Sequence, residues 1–361
     1  MTGTVMITTG GTGGHVFPGL AVAARLVAKG WAVFWLGTRD GIEARLVPQH
    51  GVDFEAIQFA GVRGKGLKRL LFGPYALLAA FWQSLQIIRR RGPDVVVGFG
   101  GFASFPGALM GVACNKPLAI HDANAVAGLA NRILAFGADR ILLGFPDALK
   151  GKHAAKVEWV GNPVRDDIAA VPPPEQRFGK RAGSLRLLVV GGSLGAAALN
   201  ERVPAALALL ARDERPQVTH QAGDKHLDAL RERYAQAQVD AECLPFITDM
   251  ARCYAEADLV LCRAGALTVA ELAAVGVASA LVPLPGAIAN EQTYNAQMLV
   301  EAGGAVLIPQ TELTPSRLAE FLRGCTRERL LSMAIAARRI GRADAAERVA
   351  SACIALAGGG A

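Results

Sequence analysis

Short apolar runs alternate with helical patterns along nearly the whole chain. Val5–Thr9 reads as a buried strand, a glycine turn follows it, and a helix is predicted from about Pro18 to Lys29. Ala32–Leu36 is the next strand; Asp94–Val97, Leu118–His121 and Arg140–Leu143 are later runs, each closed by small or polar residues. Strands that are apolar throughout and spaced by helices predict a parallel sheet covered on both faces. The pattern breaks near Val160-Gly161-Asn162-Pro163, and Val171-Pro172-Pro173-Pro174 follows. Proline runs resist helix and stiffen a connection, so a domain boundary is placed here.

The plan then restarts. Arg186–Val190 is a strand, Gly191–Gly195 a turn and Ala196–Leu210 an Ala-rich helix, with apolar runs at Leu259–Leu261, Ala278–Val282 and Ala305–Ile308. The expected fold class is α/β, with two Rossmann-like doubly wound parallel-sheet domains facing a cleft. Residues 1–162 form the first domain and 163–342 the second. The last helical stretch, about 343–358, either closes the second domain or packs back on the first.

Composition supports two cores. The 361 residues are 52% hydrophobic but only 6% aromatic, so the interior is mainly Ala, Val and Leu. The net charge of +7 fits nucleic acid, an anionic membrane surface or phosphorylated substrates, or simply a soluble basic surface. Six scattered cysteines without a C-x-x-C pair argue against a metal site or disulfide framework and for a reducing compartment. Val5 follows the start without a basic region or long apolar stretch, so no signal peptide is expected and the chain is placed in the cytoplasm. Leu70–Trp82 is the most membrane-like segment, but Gly73-Pro74 interrupts it and it is too short to span.

The chemistry gathers at the glycine turns. A glycine-rich turn between a buried strand and a helix brings backbone N–H groups and the positive end of the helix dipole to a phosphate. Gly10-Gly11-Thr12-Gly13-Gly14-His15 lacks the Gly-Lys-Ser/Thr of a Walker loop, and Val16 stands where the dinucleotide pattern needs its third glycine. His15 closes the turn, where an imidazole kept neutral by the helix end accepts a proton from a bound hydroxyl; a capping or core histidine is the plainer alternative. Gly98–Gly107 is a second anion-cradling turn, and together they suit a diphosphate through Gly11, Gly100, Gly101 and Ser104. Asp122 and Asn124 add a carboxylate and an amide at the same sheet edge, or else cap the next helix. In the second half Arg263–Glu271 repeats the strand-to-helix turn, with Glu271 placed to accept from ribose hydroxyls. No Asp-x-Asp metal pair is evident, so helix ends and N–H groups, without a metal or other cofactor, would stabilise a leaving nucleotide diphosphate. Thr38-Arg39-Asp40 after the second strand suits a 2′-phosphate and keeps an NADP oxidoreductase as an alternative; a non-catalytic nucleotide-binding scaffold is another.

Five motifs in register resemble the bacterial MurG family over essentially the whole chain. They are GGTGGHVFPGLAVA at Gly10–Ala23, GxGGxxSxPG at Gly98–Gly107, GNPVR at Gly161–Arg165, GGSxGA at Gly191–Ala196 and RAGALTVAE at Arg263–Glu271. The resemblance implies a GT-B glycosyltransferase that moves N-acetylglucosamine, with inversion and a β-1,4 link, from UDP-N-acetylglucosamine to undecaprenyl-linked lipid I. The product is lipid II, for peptidoglycan. It implies acceptor binding by the N-terminal domain and donor binding by the C-terminal one. His15 is then the first candidate for general base and Asp122 the second, with Thr12, Gly13 and Gly14 against diphosphate or donor sugar and Asn124 against the sugar. Arg165, Ser193, Ile247, Ala266, Leu267, Thr268, Val269, Ala270, Glu271 and Gln292 match donor-holding positions. Three positions depart from the family: Asp122-Ala123 where Glu-Gln is usual, Leu194 for Gln, and Glu291 for His. Another GT-B lipid transferase, acting for example on diacylglycerol, is the nearest alternative, but it has no diphosphate for the first two turns. The lipid acceptor also implies a peripheral place on the cytoplasmic face of the inner membrane, beside other cell-wall synthesis proteins. Lys65, Lys68, Arg69, Arg89, Arg90 and Arg91 around Leu70, Leu71, Phe72, Phe81 and Trp82 would hold an anionic leaflet. Nucleic acid is not an expected partner.

Overall fold

In the computed structural model, which describes residues 3–59, 67–149, 153–179, 181–192, 195–287 and 290–358, the chain forms two compact units. The first joins 1–165 with 342–361, and the second is 166–341. The first holds β1 (Thr4–Thr8), β2 (Ala32–Thr38), β3 (Asp53–Ile57), β4 (Val95–Gly98), β5 (Leu118–Asp122), β6 (Arg140–Leu143) and β7 (Val157–Trp159). They form one parallel sheet in the order β3-β2-β1-β4-β5-β6-β7. The second holds β8 (Arg186–Val190), β9 (Gln217–Gln221), β10 (Glu242–Leu244), β11 (Leu259–Cys262), β12 (Ala278–Leu281) and β13 (Ala305–Leu307). Its order, β10-β9-β8-β11-β12-β13, repeats the same reversal about the first strand, again all parallel. In such sheets ligands bind outside the carboxyl ends of the strands, where the order reverses. That point lies between β1 and β4 in one unit and between β8 and β11 in the other.

The apolar strands are buried on both faces because helices cover both. Val5 and Ile7 of β1 face a core shared with Val16, Leu20 and Ala23, while Met6 between them faces Ala80, Ala108 and Leu134 on the other side. The C-terminal helix, Ala345–Gly358, lies on the first of these faces against the helix Gly13–Ala28 and seats Val349, Ala350 and Cys353 wholly in the core. Arg342 leads into it, its guanidinium 4.2 Å from the Trp159 ring centroid. The exposed Lys29–Glu347 pair at 2.7 Å adds at most about 1 kcal/mol. The buried apolar contact decides where the helix sits.

The elements depart from the sequence pattern in three places. The first helix starts at Gly13, not Pro18, because the Thr12 carbonyl already accepts from the N–H groups of His15 and Val16. The helix Leu67–Arg91 runs through Gly73-Pro74, losing one i→i−4 hydrogen bond at the proline but continuing. The strands β3, β7, β9 and β10 carry polar residues or sit near a sheet edge, and their apolar signal is too short to read. No described helix is long and apolar enough to cross a membrane.

Two buried polar arrangements brace the turns. Glu43 is wholly buried and accepts from the Thr38 N–H at 3.0 Å, the Thr38 hydroxyl at 2.7 Å and the Gly11 N–H at 3.3 Å. In the second unit His220 is held neutral between two partners: its Nε2–H donates to Asn200 at 3.1 Å and its Nδ1 accepts from the Tyr234 hydroxyl at 2.9 Å. Asn200 in turn donates to the Ala222 carbonyl at 3.1 Å. Burial pushes the His220 pKa down to about 3, and that of His121 in the first unit to about 4.

These arrangements set two expectations. Between about pH 6.5 and 4 the unfolded chain takes up protons that the buried histidines refuse, so stability falls as pH falls, by up to about 1.4 kcal/mol per pH unit for each group. Urea midpoints at pH 7 and pH 5 should differ less for His220→Gln than for the parent chain, whatever the variant's absolute stability. An equal difference would remove His220 from the acid response. Replacing Glu43 by Ala strands three donors and should cost about 3 kcal/mol in urea denaturation; a loss below about 1 kcal/mol would show the carboxylate to be dispensable.

Candidate active site

The glycine turns found in the sequence fall in pairs at the two reversal points. In the first unit β1 runs into Gly10–Gly14 and its neighbour β4 runs into Phe99–Ser104. The two turns touch backbone to backbone: Gly101 takes φ +79°, and a Cβ there would overlap the Gly10 carbonyl oxygen. The Thr9 hydroxyl donates to the Gly100 carbonyl at 2.9 Å, and the Trp35 indole N–H donates to the Thr9 carbonyl at 3.1 Å. Thr12 is the exposed residue preceding the first helix, and Gly13 and Gly14 supply its first N–H groups, ahead of the first helical hydrogen bond. The Gly11 N–H is spent on Glu43, and the Ser104 hydroxyl on the Gly101 carbonyl at 3.0 Å. The Gly11 N–H, expected from sequence to cradle an anion, is thus unavailable to one.

His15 stands where these two turns meet. A Cβ placed on Gly100 would lie 3.6 Å from both Nδ1 and Cε1 of His15 and 3.5 Å from the Asn131 amide nitrogen. The His15 Nδ1 is buried without a hydrogen-bond partner. Burial lowers its pKa below the ordinary 6.5, with the Phe99 backbone beside it pulling the other way. Desolvation is the leading cause that keeps this imidazole neutral.

Asp122 ends β5 next to them, but its oxygens are occupied. It accepts from the Asn124 N–H at 3.2 Å, the Gly128 N–H at 3.1 Å and the Asn131 side-chain amide at 3.0 Å. It therefore shapes the turn that holds Asn124, while the helix that follows starts after Gly128 without a side-chain cap, so the capping role weighed from sequence does not apply. His121 beside it is wholly buried, its Nε2–H donating to the Gly161 carbonyl at 3.0 Å, while its Nδ1 has no partner. Asn162 donates to the Ala123 carbonyl at 2.9 Å. Sequence reading missed Glu43, Asn131 and Asn162. The readable signals were an amide inside an apolar helical pattern at Asn131 and the motif GNPVR that contains Asn162; nothing local marks Glu43.

The second unit repeats the design with different chemistry. Ser193 and Leu194 lie outside the described residues. Around them, Gly195 takes φ +74° with its α-carbon against the Ala222 carbonyl, and Gln221 donates to the Gly192 carbonyl at 2.8 Å. From the adjacent β11, Arg263 donates to the Val282 carbonyl at 3.1 Å and to Gln310 at 2.7 Å, tying the neighbouring loops together. Ala266, Leu267, Thr268 and Ala270 are half-buried in the first turns of the helix Ala266–Val275. Val269 is wholly buried and its N–H is bound to the Gly265 carbonyl at 2.9 Å, so it packs beneath the turn and offers a ligand nothing. Glu271 is largely buried and accepts from the Tyr254 hydroxyl at 3.2 Å. Gln292 follows β12 and accepts from the Leu284 N–H at 2.9 Å, which turns its NH2 end outward from that bond. Ile247 lines a cavity of about 570 Å³ with Leu188, Thr219, Glu242 and Phe246. Arg165, half-buried, is the last residue of the first unit.

Comparison with known proteins covers both units. Residues 5–143 match the glycosyltransferase family 28 N-terminal domain, and residues 186–349 match the glycosyltransferase family 28 C-terminal domain. A UDP-N-acetylglucosamine–N-acetylmuramyl-(pentapeptide) pyrophosphoryl-undecaprenol N-acetylglucosamine transferase of Aromatoleum aromaticum is 56% identical over 99% of this chain and 98% of its own. The protein of the same name from Dechloromonas aromatica is 54% identical over 99% and 100%. The crystal structure of Acinetobacter baumannii MurG superposes with a TM-score of 0.85 at 38% identity, covering 97% of this chain and 99% of the other. The chain therefore belongs to glycosyltransferase family 28 and, within it, to the MurG transferases.

Proposed function

We infer that the chain transfers N-acetylglucosamine from UDP-N-acetylglucosamine to the muramyl sugar of undecaprenyl-diphosphate-linked lipid I, forming lipid II. The observation that carries the chemistry is a neutral, half-buried imidazole, its Nδ1 shielded from solvent, at the meeting point of two glycine turns. The acceptor hydroxyl attacks the anomeric carbon, and the bond from that carbon to the UDP oxygen breaks with its electron pair. The proton passes from the hydroxyl to His15. An imidazole lowered below pKa 6.5 is already deprotonated at neutral pH and ready to accept it. Asp122 holds the Asn124 turn in place, since its own oxygens are taken.

The acceptor diphosphate is assigned to the backbone of Gly100 and Gly101 and the start of the helix at Gly13-Gly14, where N–H groups and the helix dipole favour anions. On the donor side, the first turn of the helix Ala266–Val275 takes the UDP phosphates and stabilises the charge that develops as UDP leaves. Glu271, aimed by the Tyr254 hydroxyl, receives the ribose hydroxyls, and Gln292 presents its NH2 end to the sugar. Ile247, in the cavity wall of the same unit, completes the donor set there.

The protein acts at the cytoplasmic face of the inner membrane. On the helix Leu67–Arg91, Tyr75, Leu78 and Trp82 follow at spacings of three and four and are 75%, 66% and 59% exposed, a single apolar stripe facing outward. Arg90 and Arg91 are engaged with Glu55 and Asp53 at 2.7 Å, so they contribute less cationic attraction than their number suggests. Lys65, and the side chains of 68–72, lie outside the described residues.

Two measurements check this reading. His15→Ala should lower turnover of a lipid I analogue by roughly tenfold or more while calorimetric UDP binding is kept, and the acid limb of kcat/KM for the parent chain should lie below pH 6.5. Unchanged turnover would remove His15 from the chemistry. Sedimentation with anionic vesicles should fall for Trp82→Ser more than on raising salt; binding insensitive to both would place the membrane contact elsewhere.

A further inference from the structure

The helix Leu129–Leu134 divides its residues sharply between two environments. Leu134, with Ala135 and Ala138 after it, enters the core beneath β5 and β6. On its outer side Leu129 is 70%, Ile133 47% and Phe136 73% exposed. Leu129 and Ile133, four apart, share one face of the helix, and Phe136 follows in the turn after it, its N–H bonded to the Ile133 carbonyl at 3.3 Å. Large apolar side chains gathered in this way, within eight residues of which only Arg132 is charged, mark a binding surface more than a solvated one.

The position of the stripe narrows what it binds. The helix is fastened at its start to the candidate site, by the Gly128 N–H on Asp122 at 3.1 Å and by the Asn131 amide on the same oxygen at 3.0 Å and on the His121 carbonyl at 3.1 Å. Leu129 is the residue next to that fastening. The helix also packs against Ser104–Ala113, whose first turn follows the Gly100-Gly101 backbone assigned above to the acceptor diphosphate. The Asn131 amide nitrogen, two residues along from Leu129, lies 3.5 Å from a Cβ placed on Gly100. Apolar surface runs on from Leu129 to Phe136, whose ring is supported edge-on by His153 at 5.1 Å.

We propose that Leu129, Ile133 and Phe136 form a subsite for the first prenyl units of the acceptor's undecaprenyl chain, distinct from the stripe on Leu67–Arg91. This rests on the acceptor reading given under Proposed function. The subsite recognises hydrocarbon joined to a diphosphate, and it places the tail before it enters the bilayer. Selectivity for a polyprenyl over a short alkyl diphosphate is the expected consequence.

The test is Leu129→Ser/Phe136→Ser, two substitutions at surface positions, assayed in detergent with two acceptors. One carries the full undecaprenyl chain; the other has a short water-soluble alkyl group in its place. KM for the undecaprenyl acceptor should rise roughly tenfold, with kcat kept, while KM for the alkyl acceptor and sedimentation with anionic vesicles stay as in the parent chain. Equal KM for both acceptors in variant and parent overturns the subsite. So does a loss of vesicle binding without a KM difference, which would make the stripe a bilayer contact. A parent chain that glycosylates neither acceptor overturns the acceptor reading itself, and the subsite with it.

Discussion

The first unit depends on a place where two backbones meet without a side chain between them. Gly101 lies on the Gly10 carbonyl, and only glycine fits there, both for φ and for space. This contact joins the turn after β1 to the turn after β4. The Thr9 hydroxyl, the Trp35 indole and the Glu43 carboxylate then fix that pair from below and behind. His15 is positioned by the same contact, since its ring rests on Gly100. Any side chain at Gly101 would part the turns, and the imidazole would lose both its burial and its place.

The two units use one topology for opposite ends. In the second, His220 has a partner on each nitrogen, a closed arrangement that serves folding. In the first, the His15 Nδ1, the His121 Nδ1 and the side-chain oxygens of Asn131 and Asn162 are buried without partners. Unpaired buried polar atoms normally cost free energy and are rare. Of these, the His15 Nδ1 lies beside the Gly100 backbone, at the carboxyl ends of β1 and β4. At the matching turn of the second unit, side chains are already oriented by neighbours, as Glu271 is by Tyr254.

Much of this was legible in the sequence because the central strands are buried on both faces. Val5–Ile7, Val95–Val97 and Leu259–Leu261 need no partner to be recognised, and their glycine turns mark the carboxyl ends. The transferase family and its two-domain fold followed from five motifs in order. Side-chain partnerships were not legible. Asp122 looked like a second base until three donors were found on it, and Gly11 looked like an anion donor until Glu43, thirty-two residues away, was seen to hold it. Val269 sits inside a motif and yet faces the core. Such facts depend on contacts between distant segments, which periodicity and local spacing do not encode. Pro74 taught the converse: a strong local breaker was overruled by a long helix packed on its neighbour.

The seating of Ala345–Gly358 in the first unit makes the second unit an insertion, entered at 165–166 and left at 341–342. On the ribosome the inserted unit is therefore complete before its host. Until the last helix emerges, the host exposes the apolar groove that Val349, Ala350 and Cys353 later fill. The helix Ala345–Gly358 thus acts as the closing piece of the first unit, and a nascent chain stopped short of it carries a finished second unit on an unsealed first one.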